Sequence, residues 1–296
     1  MIYKEALENN IFNHIGNCAD ELGLECYVIG GFVRDYIIKK TTPKDIDIVV
    51  VGNGIDFANS VSKKLKNTPK VTIFKTYGTA MFKYNDMEIE FVGARKESYN
   101  LESRNPKVSI GTLEDDQNRR DFTINSMAFS LNKSNYGALV DPFNGLSDIQ
   151  SKIIKTPLDP EITYNDDPLR MLRAIRFATN LDFKINKDSL KSITSLSSRI
   201  EIITKERIVV ELNKIMLNNK PSTGFILLEK CGLLKYILPE ITSLKGIDEI
   251  EGQTHKDNFY HTLEVLDNIC KHTDNLWLRW AALLHDIGKA PTKKFS

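Results

Sequence analysis

Short apolar runs with alternating polar positions recur through the first half of the chain and stop near residue 155. Alternation with a period of two is typical of β-strands, in which successive side chains point to opposite faces. It predicts strands at 26–30, 46–51, 71–75, 78–84 and 87–93. Apolar residues spaced three to four positions apart predict helices at 1–24 and 55–66. The first half is therefore expected to form a mixed sheet with helices.

Helical spacing replaces alternation in the second half, and no strand is expected after Pro157. It predicts helices at 166–181, 187–197, 204–217, 221–231, 258–272 and 275–289. The change of pattern predicts an α+β domain at 1–157 and an all-helical region divided into 158–245 and 246–296. The polar segment 94–118 lacks periodicity, so we expect a long mobile loop there.

The composition excludes some classes of protein and leaves others open. The 296 residues carry 40 basic and 39 acidic side chains, so the net charge of +1 gives no sign of a nucleic-acid partner by itself. No apolar run reaches the length of about 18 residues that spans a membrane, and the N-terminus does not resemble a signal peptide. The four cysteines lack the paired spacing of a metal site, which predicts reduced thiols in a cytoplasmic protein without a membrane partner.

The segment 27–50 carries the most informative chemistry, because a pair of glycines is followed by two aspartates on one strand. Backbone N–H groups at Gly30 and Gly31 can approach a triphosphate closely, since no Cβ stands in the way. Asp45 and Asp47 alternate along the next strand, so their carboxylates point to one face about 6–7 Å apart. Such a pair suits Mg²⁺, which proteins often hold with one or two carboxylates and substrate phosphates. The pattern predicts nucleotidyl transfer.

A further carboxylate is expected from the strand at 87–93. Glu88 and Glu90 share one face of it, and either could join the aspartates if the two strands are neighbours. The expected reaction is attack of a 3′-hydroxyl on an α-phosphate with two Mg²⁺ ions, in which Glu90 supports the metal site or takes the proton. Arg34 lies one turn into the helix after Gly31 and is expected to reach the triphosphate.

A basic and polar cluster follows at 119–125, where the sequence reads RRDFTIN. Arg119 and Arg120 suit phosphate, to which a guanidinium donates in a forked geometry. Asp121 and Asn125 can accept hydrogen bonds from ribose hydroxyls. We interpret the cluster as part of a nucleotide site at the start of an apolar helix.

The run NDDPLRMLRAIRF at 165–177 predicts how a base could be chosen without a nucleic-acid template. Asp166 is expected to cap the helix, with Asp167 and Arg170 one turn apart and Arg173 continuing their face. A carboxylate only accepts hydrogen bonds and a guanidinium only donates them, so Asp167 and Arg170 complement an amine beside a ring nitrogen. Cytosine and adenine share that edge, whereas guanine and uracil would place a carbonyl against the carboxylate. If this helix faces the metal site, CTP and ATP are the expected substrates.

These motifs resemble the tRNA nucleotidyltransferase and bacterial poly(A) polymerase family, a branch of the polymerase-β-like nucleotidyltransferases. The resemblance covers residues 27–217 and is carried, in this order, by GGFVRDYI with DID, EFVGARKESY, RRDFTINSMAF, DPFNGLSDI, DDPLRMLRAIRFA and KERIVVELNKI. It implies a polymerase-β-like head at 1–157 and a helical neck at 158–245 that selects the nucleotide and binds RNA. It also implies that the aspartate pair holds two magnesium ions and that the incoming nucleotide contacts Gly31, Arg34, Arg120, Arg170 and Arg173. A basic Gly-Arg-Arg-Phe run, frequent in the poly(A) polymerases, does not occur, which favours CCA addition to the tRNA 3′ end.

The last segment resembles the start of an HD-type metal phosphohydrolase domain, through His261, the pair His285-Asp286 and the run HKDNFYHTLEV. The resemblance implies a metal site at these three residues. The HD pattern needs further ligands after them, so we expect the HD-type domain at 246–296 to be incomplete.

Several interpretations remain open beside CCA addition. Poly(A) addition, or addition of only CC or only A, would use the same catalytic core. A metal-dependent phosphohydrolase would use the HD-type segment and leave the first half to recruit RNA. An RNA-binding module without catalysis is the last alternative, and the intact set of Asp45, Asp47 and Glu90 argues against it.

Overall fold

A computed structural model describes residues 1–75, 78–100, 103–246, 249–250, 253–254 and 257–288. The chain forms two compact units, one made of Met1–Ser151 with Lys155–Leu158 and the other of Lys152–Ile154 with Asp159–Ser296. A mixed sheet with helices followed by a helical region confirms the predicted fold class. The boundaries at 157 and 245 stay predictions, and part of the segment 246–296 lies outside the described residues.

In the described part of the first unit, the β-structure consists of nine strands. They are β1 (Cys26–Ile29), β2 (Asp45–Val50), β3 (Thr72–Phe74), β4 (Thr79–Tyr84), β5 (Met87–Gly93), β6 (Arg95–Asn100), β7 (Ser103–Ile110), β8 (Ala128–Ser130) and β9 (Leu139–Val140). Seven of them form one sheet in the order β3-β4-β5-β2-β1-β8-β9. Its neighbouring strands are antiparallel except β2 and β5, which run parallel. The five strands predicted from alternation are thereby confirmed.

The helices of the first unit explain why the two faces of this sheet differ. They are α1 (Asn10–Leu22), α2 (Gly31–Lys39), α3 (Gly54–Lys64), α4 (Leu113–Asn118) and α5 (Gly145–Gln150). Phe12 of α1, Phe32 of α2 and Phe57 of α3 lie in one buried core with Ile46 and Ile48 of the sheet. Because side chains alternate along a strand, Asp45 and Asp47 lie on the opposite face of β2.

The expected loop at 94–118 is wrong. In the described part of this segment, β6 and β7 pair as an antiparallel hairpin and α4 follows, while residues 101–102 lie outside the description. The hairpin gives no alternation signal because its residues are polar at most positions of both strands. Main-chain hydrogen bonds between neighbouring strands form without an apolar face, so the pairing was invisible in the side-chain pattern.

The apolar helix expected after Arg119 and Arg120 is also wrong. A single 3₁₀ turn at Thr123–Asn125 leads into β8, which pairs with β1. Every residue from Asp121 to Leu131 is buried. A short run that is buried on all sides has the same pattern in a helix and in a central strand, and here pairing with β1 decides in favour of the strand.

The second unit is mainly helical. Its helices are α6 (Pro160–Asp166), α7 (Leu169–Leu181), α8 (Lys187–Leu196), α9 (Lys205–Met216), α10 (Ser222–Lys230), α11 (Leu234–Ile237), α12 (Pro239–Thr242), α13 (Asn258–Cys270) and α14 (Leu276–Leu284). The expectation of no strand after Pro157 is wrong, since Lys184–Ile185 pairs in parallel with Ile153–Ile154, and Glu249–Ile250 pairs with Gln253–Thr254. Two-residue strands are too short to produce alternation. Within the described ranges, no helix is long and apolar enough to cross a membrane.

The helix predicted at 166–181 is divided by Pro168. A residue before proline is kept out of the helical conformation, and Asp167 accordingly has φ −140° and ψ 100°. Asp166 is therefore the last residue of α6 and not the cap of the next helix, as the sequence had suggested. Asp167 caps α7 instead, because its Oδ1 accepts a hydrogen bond from the backbone N–H of Leu169 at 3.2 Å.

Arg279 fixes α14 to the end of α9, and its side chain is fully buried. Its Nη1 donates to the carbonyl oxygens of Met216 and Asn218, each at 2.9 Å, and its Nε donates to the carbonyl of Thr273 at 3.0 Å. Asp274 supplies the negative charge, 2.8 Å from Nη2. The last carbonyls of a helix lack partners within it and carry partial negative charge, so a buried cation there satisfies both needs.

Replacing this arginine should destabilise the helical unit. Arg279→Met leaves buried carbonyl oxygens without donors and should lower the free energy of unfolding by about 3 kcal/mol. Urea unfolding followed by circular dichroism measures the change. Lys271→Met removes an exposed positive charge from the same segment and should alter stability by less than about 0.5 kcal/mol. Equal effects of the two substitutions would contradict this interpretation.

Candidate active site

Four carboxylates share one face of the parallel pair β2–β5. Asp45 lies opposite Glu88 in the register, and Asp47 lies opposite Glu90. Neighbouring strands are separated by about 4.8 Å, so the four groups form a compact acidic patch. Glu88 has a counterion, because Lys83 of β4 holds its Oε1 at 2.7 Å. Among these carboxylates, Asp45, Asp47 and Glu90 are therefore the better candidates for metal ligands.

Asp47 is the electrostatically strained member of the patch. Burial raises the pKa of its carboxyl above the usual range, and the negative charges of Glu90 and Asp45 raise it further. The guanidinium of Arg120 lowers the pKa of this carboxyl without cancelling the rise. A cation between the carboxylates would remove the repulsion among them, so the arrangement favours binding of a divalent metal.

Gly30 brings the start of α2 against Asp47 and Arg120. Its φ of 79° and ψ of −129° are unfavourable for residues with a side chain. A Cβ at this position would lie 3.0 Å from Nη1 of Arg120 and 3.4 Å from Oδ2 of Asp47. The glycine predicted to approach a triphosphate thus borders both the acidic patch and a guanidinium.

The two arginines of the RRDFTIN run are held by Asp116, a residue that the sequence analysis missed. The Asp116 side chain is completely buried in α4. Its Oδ1 accepts from Nε of Arg119 at 2.9 Å, and its Oδ2 accepts from Nε of Arg120 at 3.1 Å. Burial opposes ionisation of Asp116, but Arg120 and Arg119 outweigh it and leave the pKa of the carboxyl below its usual value. The spacing of three and four residues from a helical aspartate to two arginines was the available signal.

Arg34, Asn125 and Asp121 form a second network beside Gly31. Nη1 of Arg34 donates to Oδ1 of Asn125 at 2.7 Å, and Nδ2 of Asn125 donates to Oδ1 of Asp121 at 3.0 Å. Asn125 and Asp121 are both buried. Both residues were predicted to meet a ribose, and the contacts add an orienting role toward Arg34. The structure therefore brings together Gly30, Gly31, Arg34, Asp45, Asp47, Glu90, Arg119, Arg120, Asp121 and Asn125 in the first unit.

Asp167, Arg170 and Arg173 belong to the second unit, at the α6–α7 junction and on α7. Oδ2 of Asp167 forms an ion pair with Nη2 of Arg207 on α9 at 3.0 Å. Nη1 of Arg170 lies 3.5 Å from the carbonyl oxygen of Thr163. The Arg173 guanidinium lies 5.6 Å from the centre of the Phe177 ring. Their predicted role in choosing the base stays a prediction.

His261, His285 and Asp286 converge in the HD-type segment. One ligand atom from each lies within 4.8 Å of the others. Nδ1 of His285 lies 2.7 Å from the carbonyl oxygen of Ala282. The other ring nitrogen, Nε2, lies 3.3 Å from Oδ2 of Asp286 and is therefore the one that faces the cluster. Nδ1 of His261 is buried and has no hydrogen-bond partner among the described residues. Two imidazole nitrogens and a carboxylate are donors suited to a transition-metal ion.

Three families of protein domains match the sequence. Residues 26–155 match the family described as poly A polymerase head domain. Residues 182–245 match the probable RNA and SrmB-binding site of polymerase A, and residues 258–296 match the HD domain. The matched head domain contains all ten candidate residues of the first unit.

Curated relatives and solved structures give the same classification. An A-adding tRNA nucleotidyltransferase of Aquifex aeolicus is 41% identical over 57% of this chain, and a multifunctional CCA protein of Shewanella frigidimarina is 33% identical over 92% of it. The chain spans 20% of the first relative and 64% of the second. A tRNA nucleotidyltransferase complexed with a primer tRNA and an incoming ATP analogue is 28% identical, with a TM-score of 0.72 over 92% of this chain and 75% of the other.

Asp116 should prove essential for the stability of the first unit. Asp116→Asn removes the negative charge that two guanidinium groups share in a buried position, and should lower the free energy of unfolding by about 3 kcal/mol. Chemical unfolding of the variant measures the loss. The neighbouring Asp115 only caps α4 at the surface, so Asp115→Asn should cost about 1 kcal/mol. A smaller loss of stability for Asp116→Asn than for Asp115→Asn would contradict the interpretation that Asp116 holds Arg119 and Arg120.

Proposed function

We propose that this chain, whose residues 26–155 match the poly A polymerase head domain, is a nucleotidyltransferase that adds C, C and A to tRNA 3′ ends from CTP and ATP. The observation that carries the proposal is the register of β2 with β5, which puts Asp45 and Asp47 beside Glu90. A relative named multifunctional CCA protein, whose match extends over 92% of this chain, supports tRNA as the substrate and CCA as the added sequence.

The family typically uses a divalent metal, and we assign Mg²⁺ to Asp45 and Asp47. Their hard carboxylate oxygens on one face of β2 fit such an ion. Mg²⁺ held by these residues would lower the pKa of the attacking 3′-hydroxyl and would offset negative charge on the leaving pyrophosphate. Glu90 lies beside Asp47, where it supports this site or accepts the proton of the hydroxyl.

The remaining residues of the head bind and orient the triphosphate. Gly31 offers its backbone N–H at the start of α2, where the helix dipole favours negative charge, whereas the N–H of Gly30 donates to the carbonyl oxygen of Met127 at 3.2 Å. Arg34, Arg119 and Arg120 donate to phosphate oxygens in directions fixed by Asn125 and Asp116. As the 3′-oxygen bonds to the α-phosphorus, the bond to the β-phosphate oxygen breaks and pyrophosphate leaves.

Selection of the base is assigned to Asp167 and Arg170, with Arg173 on the same helix. Asp167 accepts from the exocyclic amine that cytosine and adenine share, and Arg170 donates to the neighbouring ring nitrogen. Uracil and guanine are rejected because their carbonyl would leave the carboxylate without a proton to accept. No template is required, since side chains read the edge of the base.

A second candidate is addition of A alone, which the resemblance to the A-adding relative of Aquifex aeolicus favours. Both activities would use the same residues of the head and the same base-selecting residues. CC addition and poly(A) addition are further outcomes that product length distinguishes. We place each of these activities in the cytoplasm, in keeping with the four free cysteines.

Extension of a tRNA that lacks its last three nucleotides tests the proposal. With Mg²⁺ and labelled CTP and ATP, the product should grow by C, C and A and then stop. Asp45→Ala should reduce the rate by roughly a hundredfold or more, because a metal ligand is lost. Glu88→Gln is the matched control, since Glu88 lies opposite Asp45 but is paired with Lys83, and it should retain most of the activity.

Other products would assign a different activity. Addition of A only to tRNA ending in CC identifies the second candidate, and a long run of A identifies a poly(A) polymerase. Release of phosphate without extension would favour the HD-type phosphohydrolase. The absence of any reaction, with the protein folded, would leave an RNA-binding module as the better interpretation.

We further propose that His261, His285 and Asp286 bind a divalent metal. Calorimetric titration with Mn²⁺ or Ni²⁺ should show one site in this segment that His261→Ala weakens by at least roughly tenfold. His272→Ala removes a histidine outside the cluster and should leave the affinity unchanged. Equal affinities of the two variants would contradict the assignment. This site is independent of Asp45 and Asp47, so Asp45→Ala should not affect it.

A further inference from the structure

The carboxylate of Asp167 is held by two donors from different parts of the helical unit. The backbone N–H of Leu169 donates to Oδ1 at 3.2 Å, and Nη2 of Arg207 donates to Oδ2 at 3.0 Å. Leu169 belongs to the first turn of α7, whereas Arg207 lies on α9, 40 positions after Asp167. The two contacts fix both oxygens, so the plane of the carboxylate is defined before any base arrives.

The conformation of the backbone makes the second donor necessary. Pro168 keeps Asp167 extended, outside both α6 and α7, so its side chain is not confined by a regular helix. The single contact with the Leu169 N–H would still allow rotation about the Cβ–Cγ bond, which is a soft torsion in aspartate. Arg207 removes this freedom by holding the other oxygen.

The position of Arg207 is itself fixed by the packing of α9 on α7. On α9, Ile208 directly after Arg207 is buried, and so is Leu212 one turn beyond it. One turn further along α9, Glu211 forms an ion pair with Arg176 of α7 at 2.7 Å, and the side chains of both are largely buried. Arg207 therefore projects from a well-anchored helix, although its own side chain is 40% exposed.

The remaining hydrogen-bonding capacity of Asp167 suits an incoming base. A carboxylate has about four lone-pair directions, of which Leu169 and Arg207 take two. The side chain is about one quarter exposed (23%), so the remaining directions are accessible to a ligand. The oxygens of a carboxylate accept hydrogen bonds, which suits a base that presents an amine and not one that presents a carbonyl.

We propose that Arg207 is a specificity-determining residue, which orients Asp167 so that nucleotides with an exocyclic amine are selected. The inference rests on the proposed function, because it assigns Arg207 to the same base-selecting site. Arg207 acts through Asp167 and is a positioning residue, not one that contacts the reacting atoms. Its loss should therefore alter the choice among nucleotides more than the rate with the correct one.

Steady-state extension of tRNA lacking CCA, with each of the four nucleoside triphosphates separately, tests this role. Arg207→Gln should lower the ratio of kcat/KM for CTP over UTP by roughly tenfold, with most of the change in KM for CTP. Arg207→Lys keeps a positive charge and should restore part of the ratio. Lys205→Gln removes an exposed charge from the same helix and should leave the ratio unchanged.

A double-mutant cycle separates orientation of Asp167 from a general structural effect. In an Asp167→Ala background, Arg207→Gln should have no further effect on the CTP to UTP ratio. An effect that persists in this background, or an equal loss for all four nucleotides, would overturn the inference. Failure of the unmodified chain to extend tRNA at all would overturn the proposed function, and with it this inference. Thermal unfolding of each variant excludes loss of fold as the cause of a changed ratio.

Discussion

The parallel pairing of β2 with β5 is the constraint on which the candidate chemistry depends. Its register places Asp47 opposite Glu90 and Asp45 opposite Glu88, on the face of the sheet away from the main apolar core. Concentrating carboxylates in this way is unfavourable, and the pKa of the Asp47 carboxyl is raised, first by burial and then by the negative charges of Glu90 and Asp45. A fold that keeps such a cluster has a ready site for a divalent cation, whose charge offsets the repulsion.

The surroundings of the acidic patch balance this charge without neutralising it. Lys83 pairs with Glu88, while Arg120 faces Asp47 from the side of Gly30. Arg120 is in turn held by the buried Asp116, so it is a partner of both acidic groups. Guanidinium groups and carboxylates are thus arranged side by side within the head, as the proposed binding of a triphosphate and a metal requires.

The helical unit uses ion pairs for a different purpose. Asp167 with Arg207 and Arg176 with Glu211 both link the α7 region to α9, with the order of charges reversed between the two pairs. Buried Arg279 then fixes the end of α9 to α14. These links connect the residues assigned to base selection with the HD-type segment by a continuous path through α9. The HD-type segment is in this way a structural support for the helical unit as well as a candidate metal site.

The sequence by itself determined the five main strands, most of the helices and the identity of the candidate site, because alternation, glycine pairs and carboxylate spacing are local properties. It placed Asp45 and Asp47 on one face without knowledge of any neighbour. It favoured Glu90 over Glu88, and the pairing of β5 with β4 adds the physical reason, because Lys83 forms an ion pair with Glu88. It missed the hairpin of β6 and β7, whose polar residues carry no pattern, and it took β8 for a helix because burial on all sides erases periodicity. Asp116 left a local signal in its spacing to Arg119 and Arg120, but only the tertiary structure shows that its side chain is buried between them. Arg207 emerged only from the tertiary structure, because a partner 40 residues away is defined by packing and not by spacing.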